Sequence, residues 1–201
     1  MYISTFIYIA MVNFLNGLES LISEWDDQTP REPDKDKDLI FVNGEEGTIN
    51  SNGKLSCLEA SIFSRNSRIF EDAIEKGVKS LVLYLTDSVG LITYTSCEGH
   101  RVNRELNILK HRNVGILPRN LEEYNFVKYN LKQVESFFVK LNNNKCVQVT
   151  IDENFVESEN GKMPCIDILF LPKLGKENDY FLALEEVYQN FLELTKRQFK
   201  R

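Results

Sequence analysis

The stretch 146-CVQVTIDENFVESENGKMPCIDILFLP-172 decides the fold class. CVQVTID (146–152) and CIDILFLP (165–172) are rich in Val, Ile and Phe and partly alternate, the pattern of strands with one buried face. The intervening ENFVESENGKM suits a hairpin connection that can extend either strand, and Pro172 stops the second. Adjacent strands joined in this way favour an α+β layer over a doubly wound parallel sheet.

Outward from the hairpin, the periodicity changes to that of helices. Towards the N-terminus, Tyr124, Val127, Leu131, Val134, Phe138 and Leu141 form one stripe of a helix over 121–141, with Asn120 and Glu123 spaced as a capping box. NVGILP (113–118) precedes it as a strand. Further upstream, Phe70, Ile74, Val78, Leu81, Val82 and Leu85 recur at steps of three and four, so 67–87 reads as one helix, with Gly77 costing about 1 kcal/mol. DSVG breaks it, and LITYTS (91–96) follows as a strand. LIFVNG (39–44) is a further strand candidate, and EEGTINSNGK after it is loop-like. On the other side, Asn178 or Asp179 can cap a last helix bearing Phe181, Leu184, Tyr188 and Phe191. The expectation is an α+β domain over 39–201, a small mostly antiparallel or mixed sheet of about four to five strands packed with about three helices.

An amphipathic helix precedes this body. MYISTFIYIAMVNFLNGLESLI starts apolar, but no Lys or Arg precedes the run. Asn13, Asn16 and Glu19 interrupt it before the ~20 apolar residues of a membrane span. Ile3, Ile7, Phe14, Leu18, Leu21 and Trp25 share one helical face, which favours a packed or partner-binding helix over 1–25 and disfavours membrane association. DDQTPREPDKDKD has two prolines and no apolar residue, so 26–38 reads as a solvated linker.

The chain has 201 residues, 42% of them apolar, and a formal charge of −6. It can bury a substantial core, and its scattered basic residues argue against a general nucleic-acid coat, whose affinity comes from many phosphate contacts. Four cysteines, at 57, 97, 146 and 165, form no C-x-x-C pair. That spacing fits reduced thiols in the cytoplasm rather than a disulfide frame.

The chemistry concentrates in 93-TYTSCEGHR-101, where the LITYTS strand ends. Cys97 and His100 would lie about 10 Å apart in an extended strand, but a turn at Gly99 can bring them together as nucleophile and base. Glu98 can orient His100 or act as acid or base. Cys-x-x-His can also give two zinc ligands. No second paired half-site exists, so the motif points to no metal centre by itself, and zinc stays a minor alternative with no cofactor expected. His111 in KHR (110–112) reads as part of an exposed basic turn. Arg101 and Arg119 are candidate anion contacts, Arg119 because it stands just before a helix N-terminus. An ordinary polar strand end is the bland alternative for the whole motif.

The strand end resembles the hallmark Thr-Thr-Ser-Ser-Cys-Ser-Gly-Arg of the wybutosine-synthesis methyltransferases, the third enzyme of that tRNA-modification pathway. Thr93, Ser96, Cys97 and Gly99 match in place, while Glu98 stands for a serine and His100 for the arginine. The resemblance covers about ten residues and implies an α+β fold with a pocket near Cys97 for a nucleotide or nucleic acid. It does not carry over S-adenosylmethionine, for which no glycine-rich strand–turn–helix signature is present.

Two functions follow as expectations. One is a cytosolic protein whose Cys97, Glu98 and His100 pocket acts on or senses a nucleotide or nucleic acid, with catalysis left open. The other is a non-catalytic subunit of a larger complex, for instance in bacterial defence, that docks a protein partner through Ile7, Phe14, Leu18, Leu21 and Trp25.

Overall fold

Residues 22, 25, 26, 41–44, 47–50, 65, 70–103, 108–141, 146–158 and 161–200 are described by the computed structural model of the chain. In chain order, strands β1 (Phe41–Gly44) and β2 (Gly47–Asn50) lead to helices α1 (Phe70–Ala73) and α2 (Lys76–Leu83). Then come β3 (Thr93–Cys97), β4 (His100–Asn103), β5 (Ile108–Lys110), β6 (Arg112–Ile116) and α3 (Leu121–Leu141). Strands β7 (Val147–Ser158) and β8 (Gly161–Pro172) and helix α4 (Glu177–Phe199) complete the order.

The 146–172 stretch is the long antiparallel hairpin of β7 and β8, paired from Val147↔Pro172 to Ser158↔Gly161. It forms half of a four-stranded sheet of order β3-β6-β8-β7 with every neighbour antiparallel. Alternation assigns the faces. Val147, Val149 and Ile151 on β7, Ile166, Ile168 and Phe170 on β8, and Val114 and Ile116 on β6 are all buried. Against them lie Val78, Leu81 and Val82 of α2, Val127, Leu131, Val134 and Phe138 of α3, and Leu184, Val187, Tyr188 and Phe191 of α4. Phe170 meets the rings of Tyr188 and Phe191 at 5.7 and 5.4 Å, and Phe138 meets Phe191 edge-on at 5.8 Å. The α+β class and the antiparallel sheet thus match the sequence expectation.

Several elements differ from it. The ladder of 67–87 is buried as expected, from Phe70 to Leu85, yet the helix is broken. Glu75 is extended (φ −60°, ψ 140°) between α1 and α2, and after Leu83 the chain continues as a π turn, Tyr84–Ser88. The EEGTINSNGK segment contains a strand, β2, in which Thr48 and Ile49 pair with Asn43 and Val42. The hairpin of β4 and β5 was not legible at all. Helix α3 has the expected bounds, and Asn120 Oδ1 accepts the Glu123 N–H at 2.9 Å. The Glu123 carboxylate turns to Arg119 instead of closing the box. Helix α4 starts earlier than a cap at Asn178 or Asp179 implies. A turn in which Gly175 takes φ 72° hands over at Lys176, and Glu177 and Asp179 stand in the first turn, where the helix dipole favours acidic residues.

Trp25 corrects the partner-binding set. It is 1% exposed and meets Phe70 edge-on at 5.5 Å, so it belongs to the core of this chain and offers no surface to a partner. Ile22 packs against the same core. Ile7, Phe14, Leu18 and Leu21 lie outside the described residues, as does the linker after Asp26. No helix among the described residues is long and apolar enough to cross a membrane.

One buried cation joins the sheet to α2 and α4. Arg112, 6% exposed, donates from Nε to the Glu98 carbonyl at 2.9 Å and from Nη1 to Glu185 at 3.1 Å. Its guanidinium lies 4.7 Å from the centre of the Tyr188 ring. Its own N–H donates to the Tyr180 hydroxyl, which in turn donates to the Phe170 carbonyl. Gly77, in the first turn of α2, sits directly over this arrangement: a Cβ there would come within 2.7 Å of Glu98 Cβ and 2.8 Å of Arg112 Nη2.

Helix propensity alone gives Gly77→Ala a gain of about 1 kcal/mol, whereas overpacking costs about 1–3 kcal/mol. With the Glu98 backbone side of the contact held by Arg112, the clash prevails. Urea unfolding should show a net loss of stability, and a net gain would show that α2 does not approach the β3–β4 turn this closely.

Candidate functional site

The residues of TYTSCEGHR fold as β3, a turn and β4. Gly99 makes the turn with φ 90°, a region that side chains disfavour, and its Cα packs so closely that a Cβ would stand 3.1 Å from Arg112 N. Cys97 and His100 are thereby folded back towards each other instead of being held apart along a strand.

The third member comes from the break between α1 and α2. Glu75 places Oε1 2.9 Å from His100 Nε2 and accepts the Glu98 N–H on Oε2 at 2.7 Å. Facing a carboxylate oxygen, Nε2 is the donor, which fixes the imidazole tautomer. A donor atom from each of Glu75, Cys97 and His100 lies within 4.8 Å of the other two. The side chains of His100 and Glu75 are only 10% and 8% exposed, so the group is largely withdrawn from water.

Glu98 does not orient His100. Its Oε2 accepts the Gly77 N–H at 2.7 Å, satisfying an amide in the first turn of α2. The residue that orients His100 is Glu75, which the apolar periodicity of 67–87 places inside a continuous helix. Lys110 is a second residue that sequence reasoning missed. It pairs with His100 across β4 and β5, and its charge favours the Cys97 thiolate.

These surroundings favour the protonated form of the Cys97 thiol. Burial pushes it above its ordinary 9.0, and Glu75 and Glu98 add to the rise, against the Gly99 N–H and Lys110.

The two arginines do not join it. Arg119 gives Nε and Nη2 to Asp26 at 2.9 and 2.6 Å and Nη1 to Glu123 and to the Gly90 carbonyl, at 2.8 and 2.9 Å. Its expected anion contact is filled by the chain's own carboxylates. Arg101 is exposed, packs 5.2 Å over the Phe181 ring and donates to the Asn178 carbonyl at 3.3 Å. Adjacent to His100 on a strand, it projects to the other face. His111 is half-buried, not part of an exposed turn, and burial pulls its pKa down.

A separate polar group lies on the sheet face opposite the helices. A register shift between Thr93 and Thr95 brings Tyr94 OH to Asp167, to which it donates at 2.6 Å, with Cys165 Sγ 3.4 Å away. Burial raises Asp167, and pushes Cys165 up to about 11. Gly115 leaves the room for Tyr94, since a Cβ there would fall 2.4 Å from its ring.

Compared with known proteins, the chain matches no family model, no curated protein and no solved structure. The site is thus defined by its geometry alone.

The raised Cys97 pKa has a direct consequence. In protein treated with a chelator, alkylation of Cys97 followed by mass spectrometry should accelerate about tenfold per pH unit from neutral pH upward and keep rising past pH 9.0. Glu75→Gln removes a charge that holds the proton on sulfur, so it should speed alkylation at neutral pH. A rate that levels off below pH 8 would mean a thiolate already stabilised, contrary to these contacts.

Proposed function

We propose that this protein acts on or senses a nucleotide or nucleic acid through the side-chain cluster at the β3–β4 turn, with Cys97 and His100 as its working groups and Glu75 as the residue that orients His100. The observation that carries this reading is the convergence of Glu75, Cys97 and His100 within 4.8 Å of one another, from two separate parts of the chain. A half-buried thiol beside an imidazole fixed by a carboxylate is a combination suited to general acid–base and nucleophilic chemistry. Lys110 supplies the nearby positive charge for an anionic ligand, in place of Arg119. The resemblance of TYTSCEGH to a strand end of tRNA-modifying enzymes supports the choice of ligand class. Cys97 and Cys165 are free thiols, as suits a reducing compartment such as the cytoplasm.

In this reading His100 accepts the Cys97 thiol proton on the ring nitrogen that does not face Glu75, and Glu75 keeps the ring in place. Thermal unfolding of the full-length protein with nucleoside mono-, di- and triphosphates and with short RNA and DNA oligonucleotides tests it. A ligand at about 100 times its Kd adds about 2.7 kcal/mol, a rise of several degrees for a domain of this size. Cys97→Ser and His100→Ala should each remove the rise while the unliganded proteins keep their far-ultraviolet circular dichroism. No rise with any of these ligands, or the same rise in both variants, would contradict the proposal.

A further inference from the structure

We propose that Glu75, Cys97 and His100 form a three-ligand binding site for a zinc-class divalent cation, with one coordination position left open to solvent or substrate. This rests on the same three residues as the proposed function, with the ion, in place of proton transfer to His100, bringing the thiol into its reactive form.

The donor set is the first reason. A thiolate, an imidazole nitrogen and a carboxylate oxygen are the three side-chain ligand types of zinc, and three protein ligands with an open fourth position is the pattern of catalytic sites. Tetrahedral bonds of about 2.0–2.3 Å put ligand atoms about 3.3–3.7 Å apart. Here Nε2 and Oε1 are 2.9 Å apart and a donor atom from each of the three residues lies within 4.8 Å of the others, spacings on either side of those that a bound ion sets.

Charge is the second reason. One divalent cation, one thiolate, one carboxylate and one neutral imidazole sum to zero, the arrangement that a site withdrawn from water holds at least cost. On binding, the Cys97 S–H bond breaks and its proton leaves to solvent, the sulfur lone pair going to the metal. The imidazole proton moves from Nε2 to Nδ1, freeing the Nε2 lone pair that faces Glu75.

The supporting hydrogen bonds are the third. Metal ligands are held by outer-shell donors that fix their direction. The Glu98 N–H holds Glu75 Oε2 at 2.7 Å, while Oε1 stands 2.9 Å from His100 Nε2. Glu98 itself is held on the Gly77 N–H and stays outside the ligand set. The third ligand was not legible in the sequence because Glu75 lies far upstream of Cys-x-x-His, in what reads as a helix.

Cobalt(II) alone is the probe, added to reduced, full-length protein freed of metal by a chelator. One equivalent should bind with visible bands of tetrahedral cobalt and a near-ultraviolet thiolate-to-cobalt charge-transfer band, and zinc should displace it. Cys97→Ser should abolish the charge-transfer band, and Cys165→Ser should leave it unchanged. Glu75→Gln and His100→Gln keep the thiol and should each weaken cobalt binding beyond the roughly 10- to 100-fold cost of losing an outer-shell partner. These two variants carry the test if Cys97→Ser does not fold. No uptake at equimolar cobalt, a band that survives Cys97→Ser, or unchanged affinity in both Glu75→Gln and His100→Gln would overturn the site. Nucleotide-dependent stabilisation without cobalt binding overturns the metal site and leaves the proposed function standing. The charge-transfer band without any nucleotide response supports the metal site and removes the nucleotide reading.

Discussion

Arg112 brings a full positive charge into a core where charges are rarely kept, and the surroundings satisfy it from several directions. The Glu98 carbonyl and the Glu185 carboxylate accept its hydrogen bonds, and the Tyr188 ring lies against its face. A planar guanidinium suits this better than an ammonium would, because it can donate in its plane and stack on a ring at once. The consequence is geometric. By holding the Glu98 carbonyl, Arg112 fixes the β3–β4 turn against the first turn of α2, and Gly77 gives the clearance for that approach.

From that contact the site follows. With Glu98 turned towards α2, its carboxylate satisfies an amide at the helix start and its N–H is presented to Glu75. Glu75 and Glu98 thus exchange contacts: the Glu75 carboxylate meets the Glu98 N–H, and the Glu98 carboxylate meets the N–H of Gly77, two residues after Glu75. The second oxygen of Glu75 then falls beside His100, and the turn at Gly99 puts Cys97 next to both. The helix break that supplies Glu75 is therefore part of the same construction as the turn.

The elements legible in the sequence were those whose burial pattern is local. Helix α3 and the β7–β8 hairpin carry their own period of apolar residues, so Val127 to Phe138 and Val147 to Phe170 could be assigned to faces without knowing what covers them. The ladder from Phe70 to Leu85 was equally clear, but periodicity does not register a break at one residue. Glu75 leaves the helix because of partners more than twenty positions away, at Glu98 and His100. Strands β4 and β5 escaped notice because they are short and are defined by pairing with each other. Arg112 was hidden in Lys-His-Arg, a run that looks solvated until Tyr180 and Tyr188 are brought against it from α4. Arg119 misled for the reverse reason: its place before a helix suggested an anion site, and nothing local revealed that Asp26 fills it.

The central claim is that Glu75 and His100 meet through Nε2, since both the tautomer and the convergence on Cys97 depend on that contact. Long-range proton–nitrogen correlation NMR of the imidazole, in full-length protein freed of metal, reads it directly. The expected result is a His100 ring protonated at Nε2, with that proton slow to exchange and its signal altered by Glu75→Gln. A ring protonated only at Nδ1, or a spectrum indifferent to Glu75→Gln, would contradict the account.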